Sequence, residues 1–186
     1  VGGSDEDVHS FVERGLVERL GDLGRRLHTG RSRNEQVSLD LRLYLRRRIP
    51  LLQRAIAHVV DALVGQASAA GAGLMPAFTH FRPAQPVLAA HFFLAHVAPL
   101  RRDYGRLAAA REECDALPLG SGAVAGTGYA VDVDALARDL GFSRIVANSI
   151  DASSDRDFAA SFLYACTLTM VHLSRLSEDL IILTGD

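Results

Sequence analysis

Residues 33–73 read RNEQVSLDLRLYLRRRIPLLQRAIAHVVDALVGQASAAGAG. Within this stretch Val37, Leu41, Tyr44, Leu45, Ile49, Leu52, Ile56, Val59, Val60, Leu63 and Val64 recur three or four residues apart. They trace one broad apolar face over roughly nine helical turns. Pro50 lies inside the run, and a proline lacks the N–H its turn needs, so a kink is expected there and not a break into two elements. Gly71 and Gly73 then close the helix. A mean helix has about 11 or 12 residues, so one this long already favours a bundle over a mixed fold.

Downstream, Met75 to Pro86 carries Pro76, Pro83 and Pro86 and reads as a stiff extended connection. A second long helix is expected from about Val87 to Ala116, with Pro99 inside it. A glycine-rich loop follows, from Leu119 to Gly128, then a short helix at about Val133 to Leu140 and an irregular stretch through Asn148, Ser149 and Asp151. The last helix is expected from about Ser154 onward. Its middle (Phe158, Phe162, Leu163, Cys166, Met170) is apolar on most faces, the pattern of a buried helix. Upstream, Ser4-Asp5-Glu6-Asp7 reads as an N-cap with acidic first-turn residues ahead of Val8, Phe11, Val12, Leu16 and Leu20. Gly21, Gly24 and Gly30 break that helix. The expected fold is all-α, a bundle of long, bent helices, with no alternating strand pattern of any length.

Composition narrows the function classes. Hydrophobic residues make up 48% and charged residues 23% of 186 residues, which excludes wholesale disorder. A net charge of −2 argues against a nucleic-acid footprint. All 20 basic residues are Arg, so this stretch holds no Schiff-base or Walker lysine. Cys114 and Cys166 fit neither a disulfide framework nor a zinc spacing. No signal pattern or membrane-length apolar run is present, and the expected setting is cytoplasmic. The abrupt start at Val1-Gly2-Gly3 and the end at Thr184-Gly185-Asp186 suggest a piece of a longer polypeptide.

Two linkers carry polar clusters that a bundle core does not need. Leu27-His28-Thr29-Gly30-Arg31-Ser32-Arg33-Asn34-Glu35-Gln36 places two arginines at a helix N-terminus, where free N–H groups and bidentate guanidinium forks suit a di- or tricarboxylate. The alternative is a solvated loop capped by Ser32 or Asn34. Phe78-Thr79-His80-Phe81-Arg82-Pro83-Ala84-Gln85-Pro86 holds a histidine between a threonine and an aromatic, a candidate acid/base or electrophile at neutral pH. The alternative is a histidine bonded to a carbonyl within a turn. His91 and His96 are five apart and make a poor metal pair, while His58 and His172 read as packing or surface residues. The glycine loop lacks G-x-G-x-x-G spacing, although Gly120-Ser121-Gly122 offers backbone N–H groups to an anion. For Asp151, Asp155 and Asp157 metal binding is the alternative and helix capping before the last helix the simpler reading, and no metal site is expected.

In this order the segments resemble the argininosuccinate lyase family of the fumarase/aspartase superfamily. The resemblance rests on Glu6-Asp7-Val8-His9, Leu27-His28-Thr29-Gly30-Arg31-Ser32-Arg33-Asn34, Thr79-His80-Phe81-Arg82-Pro83-Ala84-Gln85-Pro86, Pro118-Leu119-Gly120-Ser121-Gly122-Ala123 and Asn148-Ser149-Ile150-Asp151-Ala152. It covers essentially the whole chain, and the His-Thr-Gly-Arg-Ser-Arg-Asn run separates this family from fumarases and adenylosuccinate lyases. Glu35 stands where the family usually has Asp, and Phe81-Arg82-Pro83 replaces a more usual Leu-Gln-Arg.

The resemblance implies that residues 1–186 are a central helical-bundle fragment with the end of a preceding N-terminal region. It implies cleavage of argininosuccinate to arginine and fumarate through a carbanion stabilised by its neighbouring carboxylate, with no cofactor. His80 is then the acid/base residue, Arg33, Asn34 and Thr79 hold the substrate with Ser32 as a further candidate, and Asp7 and His9 line the arginine side. It also implies a homotetramer whose sites are shared between subunits, a Ser-bearing loop and a Lys beyond residue 186, and no turnover by this stretch alone. Other readings are an adenylosuccinate lyase-like enzyme and a crystallin-like structural oligomer core.

Overall fold

A computed structural model describes residues 5–184; Ser4 of the expected cap, and Gly185 and Asp186, lie outside the described residues. The helices are α1 (Val8–Leu20), α2 (Asp22–Arg25), α3 (Arg33–Ala70), α4 (Ala89–Glu113), α5 (Val133–Asp139), α6 (Ser149–Ser154) and α7 (Asp157–Thr184), with a 3₁₀ turn at Arg26–His28. Three of them, α3, α4 and α7, run 38, 25 and 28 residues, so the expected long-helix architecture stands. Pro50 and Pro99 lie inside continuous helices. Gly71 ends α3 with φ 54°, a conformation that glycine adopts without steric cost.

The chain divides into two compact units: residues up to Asp40 with Ala116–Asp155, and Leu41–Asp115 with residues from Arg156 on. In the second unit the apolar face read from the sequence forms the core. Leu45, Ile49, Ile56 and Leu63 from α3 cluster with Val97, Leu100, Leu107 and Ala110 from α4 and Phe158, Ala165 and Leu176 from α7. Arg42 stacks its guanidinium 4.1 Å from the centre of the Phe158 ring and donates through Nη1 to the Glu113 carbonyl at 2.9 Å. Cys114 is fully buried at the end of α4, where burial pushes its thiol up to about 11.

The structure departs from the sequence expectation at three places, two of them in the second unit. The extended connection is a β-hairpin: β1 (Leu74–Thr79) pairs antiparallel with β2 (Arg82–Leu88), with a bulge between Pro76 and Phe78. Proline cannot donate to a ladder, but a two-stranded ribbon has only edges, so Pro76, Pro83 and Pro86 are tolerated. The other concerns α7, which is not buried on all sides, since Leu163, Tyr164 and Met170 are each about three-fifths exposed. Only one side of α7 meets the core of its unit, and the rest of its apolar surface is open.

In the first unit, β3 (Ala116–Leu117) pairs parallel with β4 (Arg144–Ile145), and Leu117, Ala137, Phe142 and Ala152 are buried. The supposed irregular stretch contains α6, capped by Asn148, whose Oδ1 accepts the N–H groups of Ile150 and Asp151 at 2.9 and 3.2 Å. Among the described residues no helix is long and apolar enough to cross a membrane.

Candidate functional site

The start of α3 is built by a capping box. The Ser32 N–H donates to Glu35 Oε1 at 2.9 Å, while Ser32 Oγ accepts the Asn34 N–H at 3.3 Å. Glu35 is 1% exposed, and its second oxygen accepts the Gly122 N–H at 2.9 Å. Gly122 has φ 59°, and a Cβ there would run into the Gly126 carbonyl, so only glycine fits this turn. The Gly122 N–H that the sequence offered to an outside anion is thus taken by the chain's own carboxylate. Asn34 reaches the same loop, with Nδ2 3.5 Å from the Ala123 carbonyl.

Arg33 faces α1. Its Nη1 donates to Glu13 Oε1 at 3.1 Å and to Gln36 Oε1 at 2.8 Å, and its Nε lies 3.6 Å from Asp7 Oδ2. Asp7 is the N-cap of α1, accepting the Ser10 N–H and hydroxyl at 2.7 and 2.8 Å. Those two hydrogen bonds, with smaller contributions from the charges of Arg33 and His9, hold the Asp7 carboxyl below its ordinary range. His9 Nδ1 lies 3.3 Å from Gln36 Nε2 and 3.4 Å from Asp40 Oδ2. The first unit therefore brings Asp7, His9, Ser32, Arg33 and Asn34 to one end of α3. Beside them Arg31 keeps Nε and Nη2 buried with no hydrogen-bond partner.

Thr79 and His80 belong to the second unit and sit at the tip of the hairpin. Thr79 pairs with Arg82, which leaves His80 and Phe81 as a two-residue loop with φ 51° and 57°. Two successive left-handed residues make a type I′ turn, the turn whose twist matches a hairpin. It normally takes Asn-Gly, and bulky side chains there are strained. His80 is exposed, and Phe81 is 84% exposed. The expected turn is present, and it projects its histidine instead of enclosing it.

Two carboxylates escaped the sequence reading. Glu35 was signalled by the Ser-x-x-Glu spacing of a capping box. Glu13 had no local signal, because its partners His28 (Nδ1 at 2.8 Å) and Arg33 lie 15 and 20 residues away. In the second unit His172, read as packing or surface, pairs with fully buried Asp103 at 2.6 Å, and Arg106 Nη1 donates to the same carboxylate at 2.8 Å. Among the described residues no group of three or more His, Cys, Asp or Glu is placed to hold a metal ion.

Comparison with known proteins bears on this arrangement. The sequence profile of the family described as lyase matches residues 1–185. The argininosuccinate lyase of Solibacter usitatus is 49% identical over 185 residues, covering 100% of this chain and 40% of that protein. The argininosuccinate lyase of a Roseiflexus species is 52% identical over 179 residues, 96% of this chain and 39% of its own length. The chain thus spans about 40% of the length of the curated relatives it matches. Among solved structures, an EDDS lyase in complex with formate superposes with a TM-score of 0.88 at 27% identity, covering 94% of this chain and 35% of that one.

Proposed function

This chain belongs to the lyase family, and on that premise we propose that the full-length protein is an argininosuccinate lyase, releasing arginine and fumarate. The observation that carries the reading is the convergence of Asp7, His9, Ser32, Arg33 and Asn34 at one end of α3. These are the residues the family motif assigns to substrate, and the argininosuccinate lyases above share about half of the sequence.

The chemistry required is a β-elimination. A base removes the proton from the carbon beside a carboxylate, and the electron pair spreads into that carboxylate. It then forms the carbon–carbon double bond of fumarate as the guanidinium nitrogen of arginine leaves and regains a proton. The difficult state carries a second negative charge next to an existing one, so donors must be fixed before it forms. Arg33 and Asn34 are suited to that, being held by α3 and its cap, and Thr79 supplies a further hydroxyl. Asp7 favours the cationic arginine end. His80, on its projecting turn, is the acid/base residue. Its exposure within the chain supports an active site completed by other segments, in a homotetramer with shared sites. The open apolar side chains of α7 support the same assembly.

Replacing His80 by Ala in the full-length protein tests this. Fumarate formation, followed by its ultraviolet absorbance, should lose roughly 10²–10⁴ in kcat, the contribution of a general acid/base. An unchanged kcat would remove His80 from the mechanism.

A further inference from the structure

The sequence motif assigns Arg33 to substrate but names nothing that holds it. Guanidinium groups on flexible stems bind tightly only when their orientation is fixed beforehand. Glu13, near the middle of α1, supplies a fixed point. A single oxygen, Oε1, lies 3.1 Å from Arg33 Nη1 and 2.8 Å from His28 Nδ1. The side chain of Glu13 is 27% exposed, that of Arg33 29% and that of His28 43%, so the cluster is partly desolvated with one ring still open to solvent. Burial pushes the Glu13 carboxyl up, and the hydrogen bonds and charges of Arg33 and His28 more than offset this, leaving it below its ordinary value and ionised at neutral pH.

We propose that Glu13 is a positioning residue of the substrate site, whose carboxylate oxygen clamps the Arg33 guanidinium and orients the His28 ring. The proposal rests on the reading of Arg33 as a substrate-binding residue. A carboxylate oxygen only accepts, so the 2.8 Å contact places a proton on His28 Nδ1 and fixes the orientation of the ring. Arg33 is restrained through Nη1 and Nε, by Glu13, Gln36 and Asp7, and Nη2 is the nitrogen these contacts leave over. An arm held in this way presents donors to a substrate carboxylate without first losing rotamer freedom. Glu13 touches no substrate in this arrangement and acts through Arg33 and His28.

The test is Glu13→Gln in the full-length protein, beside Arg33→Ala and the double variant, with KM and kcat for argininosuccinate measured separately. Loss of the carboxylate charge at this partly exposed contact should raise KM about two- to fivefold, more than it lowers kcat. The double variant should be little worse than Arg33→Ala alone, because Glu13 acts through the arginine. A merely structural Glu13 would reduce the amount of active protein, and so kcat, with KM unmoved. An unchanged KM in Glu13→Gln, with a raised KM in Arg33→Ala, overturns the clamp and leaves the functional reading standing. If Arg33→Ala also leaves KM unchanged, the assignment of Arg33 to substrate fails, and the clamp falls with it. Should Glu13→Gln not fold, Glu13→Asp carries the test, since a carboxylate one methylene shorter cannot keep both contacts and KM must rise.

Discussion

Replacing Glu35 by Gln is the sharpest probe of how the first unit is held together. The two side chains have nearly the same volume, so no cavity forms. Both Glu35 oxygens accept backbone N–H groups at 2.9 Å, from Ser32 and Gly122. Whichever way a glutamine amide turns, one of those donors meets an NH₂ group and loses its acceptor. A hydrogen bond to a charged group is worth about 1.5–3 kcal/mol and a stranded buried donor costs about 1–3 kcal/mol. Against this, a neutral amide is easier to bury than a carboxylate. The net loss should be roughly 2–3 kcal/mol, an increase of about 30- to 150-fold in the equilibrium for loop opening. Hydrogen exchange of the full-length protein, read by mass spectrometry on peptides covering residues 31–36 and 119–128, measures this directly. Both peptides should exchange faster by about that factor, with peptides from α4 unchanged. Exchange of the 119–128 peptide at the rate of the unaltered protein would refute the argument, because it would mean that something other than the carboxylate holds the loop.

Two further outcomes are expected. Phe81→Gly should raise stability by about 1 kcal/mol, since glycine adopts the left-handed conformation at this turn without the steric cost borne by a bulky residue; an unchanged or lowered denaturation midpoint would count against the strained tip. His96 is held below its ordinary value of 6.5 by burial and by the charge of Arg175, with Asp179 Oδ2 at 3.2 Å opposing the shift. The unfolded chain therefore takes up the proton first, and stability is lost as the pH falls from about 6.5 toward the folded value, with no further loss from this group below it. In His96→Gln the decline in the urea midpoint between pH 7.5 and 5.5 should be smaller than in the unaltered protein, and an equal decline would show that His96 does not cause it.

The long helices were legible because their signal is local and repetitive: an apolar residue every three or four positions from Val37 to Val64 leaves few alternatives. The hairpin was not legible, because its strands are proline-rich and mostly exposed, with Thr79 and Val87 as their two β-branched residues. Its turn residues, His80 and Phe81, are also far from the Asn-Gly type that usually signals a hairpin. Around the candidate site, the polar motifs identified which residues would gather but not what would hold them. Ser-x-x-Glu was present as text, yet the second half of Glu35's role lies 87 residues away, at Gly122. Over-reading of α7 had the same origin. Periodicity reports that a face is apolar, and what covers that face is decided elsewhere.

The way α1 is attached follows from the same distinction. Its sequence is amphipathic enough to form a helix, yet no residue of α1 is buried, and Val8, Phe11 and Val12 are 52%, 42% and 51% exposed. Its close backbone approach is to α2, where a Cβ on Gly24 would come within 2.8 Å of the Leu16 carbonyl group. Toward α3 the links are polar: Glu13 and Asp7 to Arg33, and His9 to Gln36 and Asp40. Partly exposed ion pairs are screened by solvent and contribute little, so this attachment is weak in comparison with the apolar core of the second unit. A weak polar attachment centred on Arg33 has a consequence for binding. An anion that drew the Arg33 guanidinium away from Glu13 and Asp7 would loosen α1, whereas one that bound Nη2 with the clamp intact would add to it. The second arrangement would keep the links of Glu13 and Asp7 to Arg33, and with them the attachment of α1, while the anion is bound.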